Sequence, residues 1–204
     1  MFLCNLKIIL LLFVSAFFLI SCSSSSYLDR YKPSNIVKGD PKKQNIPSEY
    51  ENLKKEDVSY DQNKLIEKLN SFAYPSSKKQ KLIDEIIKYL GTPYQYGGNS
   101  KSGIDCSAFI QQVFENSLSI NLPRTTIELY EIGKRIEIIS DLKFGDLIYF
   151  DTIKNSFPGH VGIYLGEDLF AHASVSQGVT ISSLMDEYFK NKFVGASRLT
   201  QKKQ

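Results

Sequence analysis

The sequence predicts an α+β domain in which helices come first and an antiparallel sheet comes second. Three observations carry this. Between Ser76 and Tyr130 the apolar residues recur at helical spacing. After Gly133 they gather instead into short β-type runs separated by Gly, Asp and Asn. The length of 204 residues, with 42% hydrophobic and 23% charged, is ordinary for one globular domain.

At the N-terminus, Lys7 precedes an apolar run from Ile8 to Phe18. The run is shorter than the roughly 20 residues that cross a bilayer, ends in small Ser21, and meets a serine tract at once. Residues 1–21 therefore read as a cleaved signal peptide rather than a short transmembrane anchor. Leu19-Ile20-Ser21-Cys22 resembles the lipobox of bacterial lipoproteins, which implies lipidation at Cys22 and a membrane partner reached through that lipid. Residues 22–75 are polar, irregular and proline-punctuated, as expected of a tether. Within it, Leu65, Ile66 and Leu69 of Asp61–Phe72 predict a short docking helix.

The compact domain is expected over 76–200. Ser77 caps a helix with Leu82, Ile83, Ile86, Ile87 and Leu90 on one face, and Gly91 and Pro93 end it. A glycine-rich loop spans Tyr94 to Asn99. Asp105-Cys106-Ser107 opens a second helix whose apolar face is Phe109, Ile110, Val113 and Phe114. Thr125 to Glu128 has the capping-box pattern of a third helix. Strands are predicted at Asp146–Phe150, His160–Leu165, Leu169–Ala173, Gly178–Ile181 and Phe193–Leu199, with a helix capped by Ser182 running to Phe189.

Charge and cysteines narrow the function. The net charge of +3 comes from scattered lysines without an aromatic-interleaved basic patch, which argues against nucleic acid. Of three cysteines, Cys4 leaves with the leader and Cys22 carries lipid, so Cys106 has no partner. A lone thiol in an exported chain is either an inert small hydrophobe or a reactive group. Its place at a helix start favours the second, because the helix dipole lowers a thiol pKa. A nucleophilic thiol needs a base, and the base needs an orienting group. The two histidines, His160 and His172, fall in consecutive strands whose pairing can set both rings side by side. Cys106, His160 and His172 could instead be three zinc ligands, but no paired-ligand spacing such as CxxC or HExxH occurs, and no metal or other cofactor is expected.

Ordered blocks around these residues resemble the NlpC family of papain-like cell-wall cysteine peptidases. They are Gly91-Thr92-Pro93-Tyr94-Gln95-Tyr96-Gly97-Gly98, Gly103-Ile104-Asp105-Cys106-Ser107-Ala108-Phe109, Leu122-Pro123-Arg124-Thr125, Gly145 to Phe150, Gly159 to Gly166, and Ala171-His172-Ala173. Tyr96 stands where the family has Trp, and Ala108 where it has Gly. The resemblance implies a fold with the cysteine helix packed on a small antiparallel sheet. It also implies an endopeptidase acting on peptidoglycan stem peptides, at the bond between D-γ-glutamyl and diaminopimelate or lysine. Cys106 would be nucleophile, His160 base and acid, His172 the orienting residue and Tyr94 an oxyanion donor. Asp105, Ser107 and Arg124 would face substrate. The enzyme would be a monomer on the extracytoplasmic side of the cell envelope. Two alternatives stay open: an N-acetylmuramoyl-L-alanine amidase and a non-catalytic peptidoglycan-binding lipoprotein.

Overall fold

The computed structural model describes residues 62–71 and 77–200. The expected signal peptide, the lipidation site Cys22 and the tether up to 61 lie outside the described residues. So do 72–76 and 201–204.

Helix α1 (Gln62–Ser71) is the short helix foreseen within the tether. Leu69 is 1% exposed and belongs to the main apolar cluster, so the packed body starts ahead of residue 76. Helix α2 (Ser77–Tyr89) buries Leu82, Ile83, Ile86 and Tyr89 in the same cluster. A two-residue hairpin, β1 (Asn99–Ser100) with β2 (Gly103–Ile104), closes the glycine-rich loop. Asp105 N-caps α3 (Cys106–Leu118): its carboxylate accepts from the Ala108 N–H at 2.8 Å, satisfying one of the donors a helix start leaves unpaired. The expected capping box opens α4 (Thr126–Tyr130), with Thr125 and Glu128 bonded reciprocally.

Among the described residues, β3 (Lys134–Ile136), β4 (Leu147–Phe150), β5 (His160–Gly166), β6 (Leu169–Ser174), β7 (Gly178–Ser183) and β8 (Phe193–Arg198) form one sheet. Its order is β3-β8-β4-β5-β6-β7 and every pair is antiparallel. Alternation along the strands makes two faces. Leu147, Tyr149, Val161, Ile163, Ala171 and Ala173 pack with α2 and α3. Ile148, Phe150, Tyr164 and Phe170 build a second cluster with Leu184 and Phe189. Fully burying each Val, Leu, Ile or Phe among them is worth about 1.5–3 kcal/mol, so both layers hold the sheet. Helix α5 (Glu187–Lys192) starts later than expected. Asp186 caps it, while Ser182 and Ser183 continue β7 instead.

Two features of the sheet place its side chains for chemistry. The first is a fork: β5 pairs with β6 only from Ile163 onward. Upstream, His160 to Gly162 pair with β4, and His172 to Ser174 pair with β7. The second is the outer rim of β7, bonded to the segment after α2: Gly91 N–H to Val179 C=O and Val179 N–H to Thr92 C=O, both 2.8 Å.

Candidate active site

Cys106 is the first residue of α3 and is buried. Its sulfur meets the backbone N–H of Val161, which the fork leaves without a β6 partner, and the N–H of Ser107. The Thr126 hydroxyl lies 3.8 Å from it. The helix therefore delivers the thiol to the strand residue immediately after His160.

The two histidines come together as the strand positions suggested. His160 Nε2 and His172 Nδ1 are 2.8 Å apart, with the rings edge to face. His172 is buried between Phe170, at 4.8 Å between centroids, and Phe189, at 5.3 Å. Its other nitrogen, Nε2, lies 2.9 Å from Ser182 Oγ. With Nε2 of His160 occupied, only Nδ1 is left to exchange a proton with a neighbour. Gly162 makes this crowding possible, because a Cβ there would meet Phe170 Cδ2 at 2.8 Å and His172 Cβ at 3.4 Å.

Burial sets the protonation states. It pushes the Cys106 thiol up to about 11, and the neighbouring Asp105 carboxylate adds to this against the Thr126, Val161 and Ser107 donors. The helix start alone predicted a lowered thiol pKa; desolvation and the capping carboxylate outweigh it. Burial takes His160 down to about 4, with Asp105 opposing, and holds His172 well below its usual value, with His160 contributing. At rest the Cys106 thiol and both imidazoles are thus neutral, and His172 is a neutral hydrogen-bond partner of His160.

Asp105 organises the other wall. Besides Ala108 N–H it accepts from Gly97 N–H at 3.0 Å and from Ser107 Oγ at 3.1 Å. Arg124 grips both of its oxygens, at 2.9 and 2.6 Å, and also donates to Ser107 Oγ at 2.8 Å. Such a fork–fork pair fixes orientation as well as charge. Burial opposes the Arg124 charge, but Asp105 outweighs it, with Cys106 and Tyr94 adding to the effect. Tyr94 thereby joins the same locality, bridged through its backbone to Ile104 just before Asp105. Asp105, Ser107 and Arg124 thus form one hydrogen-bonded group next to Cys106; His160 and His172 form a second, and Tyr94 adjoins the first through its backbone. The sequence did not single out Thr126, Gly162 or Ser182 as site residues. For Thr126 a usable signal existed, since it comes directly after the recognised N-cap Thr125 at the start of α4.

Among the described residues, no group of three or more His, Cys, Asp or Glu side chains is placed to hold a metal ion. The two imidazoles bond to one another rather than sharing an empty coordination site.

A helix-start cysteine layered on an antiparallel sheet is the architecture of the papain-like folds. The model of the NlpC/P60 family matches residues 91–198, more than half the chain, and the chain belongs to that family. It is 41% identical over 121 residues to a murein DD-endopeptidase/murein LD-carboxypeptidase of Escherichia coli K12, covering 59% of this chain and 63% of the relative. It is 46% identical over 112 residues to a probable endopeptidase NlpC homolog of Haemophilus influenzae, covering 55% and 58%. The chain thus spans less than two thirds of the length of these relatives. Among solved structures, an NLP/P60 family protein described as similar to lipoprotein, from Staphylococcus aureus Mu50, aligns with TM-score 0.56 at 32% identity, covering 63% of this chain and 43% of that one. The NlpC/p60 domain of the peptidoglycan hydrolase SagA aligns with TM-score 0.50 at 30% identity, covering 59% and 98%.

Proposed function

We propose that this protein is a thiol endopeptidase of peptidoglycan stem peptides, using Cys106, His160 and His172. The observation that carries the proposal is the buried Cys106 sulfur lying against the N–H of Val161, the residue after His160, whose ring is hydrogen-bonded at 2.8 Å to a second histidine. The names of the relatives, murein endopeptidase and gamma-DL-glutamyl hydrolase among them, support the substrate class.

As the thiol approaches the scissile carbonyl, His160 Nδ1 takes its proton, and the sulfur adds to carbon. His160 Nε2–H then donates to His172, which steadies the imidazolium much as the third member of other triads does. The Tyr94 hydroxyl and the helix-start N–H donate to the oxyanion, and losing one such donor typically costs about 10²–10³ in rate. Collapse breaks the C–N bond while His160 protonates the leaving amine. The same imidazole then activates water to hydrolyse the thioester.

Ser107 and the Arg124–Asp105 pair line the wall beside the sulfur, suited to the polar free end of a stem peptide. The bond proposed is D-γ-glutamyl to diaminopimelate or lysine. A D,D cross-link is a second reading, favoured by the name of the 41%-identical relative. The enzyme would work outside the cytoplasm as a monomer anchored through lipid at Cys22. Digestion of purified sacculi by the wild type and by Cys106→Ala, with mass spectrometry of the products, tests this. Glycan disaccharides left carrying only L-alanyl-D-glutamate support the γ-glutamyl bond, and conversion of cross-linked dimers to monomers with intact stem peptides supports the D,D bond. Release of whole stem peptides would point to an amidase. A Cys106→Ala protein as active as wild type would end the thiol mechanism.

A further inference from the structure

We propose that Ser182 is a fourth, positioning member of the site, which accepts from His172 Nε2–H and holds that ring in place to arm His160 as a base. This rests on the reading of Cys106, His160 and His172 given above.

The residues form a diagonal across three strands. In the β6–β7 register His172 faces Thr180 and Phe170 faces Ser182, so these four share one face of the sheet. Ser182 is the diagonal neighbour of His172, within side-chain reach. The bonds run His160 Nε2 to His172 Nδ1 at 2.8 Å and His172 Nε2 to Ser182 Oγ at 2.9 Å. Both nitrogens of a 2%-exposed ring are thereby taken.

The proton count fixes the direction of the bonds. His160 can accept the thiol proton at Nδ1 only if its hydrogen sits on Nε2, donating to His172. His172 must then present a bare Nδ1 and carry its own hydrogen on Nε2. That hydrogen points at Ser182 Oγ, which accepts it. In the opposite tautomer His172 donates to His160 Nε2. The hydrogen of His160 is forced onto Nδ1, and it cannot act as base. Phe170 and Phe189 hold the His172 ring so that it cannot flip to another partner. Without the serine hydroxyl, His172 Nε2 is a buried polar atom with no partner, and the ring loses the bond that holds it against His160.

The experiment compares wild type, Ser182→Ala, Ser182→Thr and Cys106→Ala on a defined stem peptide, together with ¹⁵N NMR of the imidazoles. Ser182→Ala should lower kcat by about 10- to 100-fold, the effect of stranding one buried donor. Its KM should change by less than about twofold, because the serine touches no substrate. In wild type the His172 signals should report the Nε2–H tautomer, and in Ser182→Ala the Nε2 signal should lose the shift of a hydrogen-bonded group. Ser182→Thr, which keeps the hydroxyl, should recover most of the rate. A wild-type protein whose His172 is the Nδ1–H tautomer overturns the proposal even if the alanine variant does not fold. So does a Ser182→Ala protein with wild-type kcat, when Cys106→Ala is inactive. Full activity in Cys106→Ala would instead sink the underlying mechanism.

Discussion

Replacing Gly162 by alanine should damage catalysis more than it damages the fold, and the reason lies in the fork between β5 and β6. A methyl there meets Phe170 Cδ2 at 2.8 Å, Ala171 O at 3.0 Å and His172 Cβ at 3.4 Å. The Phe170 ring cannot step aside, since it is fully buried against Phe150 at 5.1 Å and Phe189 at 4.9 Å. Overpacking of this kind costs about 1–3 kcal/mol, or roughly 5–10 °C in Tm for a domain of this size. The strain falls on the strand that carries His172 and lengthens its bond to His160. Losing a charge-assisted bond of about 1.5–3 kcal/mol in the transition state lowers kcat about 10- to 100-fold.

Gly166 is the control on the same strand. Its φ is +100° and a Cβ would meet nothing within 4 Å, so Gly166→Ala costs only backbone strain, about 1–3 kcal/mol. Calorimetry and stem-peptide turnover on both variants should show similar losses of Tm, with kcat falling only in Gly162→Ala. Equal kcat losses in the two, or none in either, would refute the claim that the fork sets the histidine geometry.

Three further outcomes are expected. His160 titrates near 4 and His172 well below its usual value, while the unfolded chain protonates its histidines near 6.5. The unfolded state therefore binds more protons as pH falls from 6.5 to 4, and stability drops in that window, by about 3 kcal/mol from His160 alone. Urea midpoints at pH 7, 5.5 and 4.5 check this, and His172→Gln should flatten the slope. Thr126→Val removes a donor to the sulfur, so the thiol pKa rises further and alkylation by iodoacetamide at pH 8 slows about 3- to 10-fold; an unchanged rate would contradict the contact. Arg124→Gln leaves the buried Asp105 carboxylate without its cation and should cost about 2 kcal/mol, the partial exposure of Arg124 moderating a buried-pair loss. Adding Asp105→Asn to that variant should recover part of the loss in a double-mutant cycle.

Much of this molecule was readable from local pattern. Periodicity placed α2 and α3 and all the longer strands, because their buried faces repeat at 3.6 or 2 residues. The three-residue β3 escaped, being too short and too charged at Lys134 and Arg135 to show alternation. Cys106 and His160 stood out by residue type and by the elements they open. Ser182 did not: its side chain serves a cap or a strand equally well by local rules, and only the β6–β7 register decides. The thiol pKa went astray for a related reason. A helix start is visible in sequence, whereas the burial that opposes it comes from residues far along the chain. The capping Asp105 was visible too, and its charge acts on the sulfur as well as on the helix.

The bonds between the Gly91–Thr92 segment and Val179 have a consequence for how the protein behaves at high concentration. A sheet ends in two rims, and each offers unmatched amides to the rim of another molecule. Here one rim is bonded at Val179 to the chain's own backbone, and the other is only three residues long with Lys134 and Arg135 on it. Strand-to-strand pairing is thereby obstructed at Val179 on one rim and disfavoured by the two cations on the other.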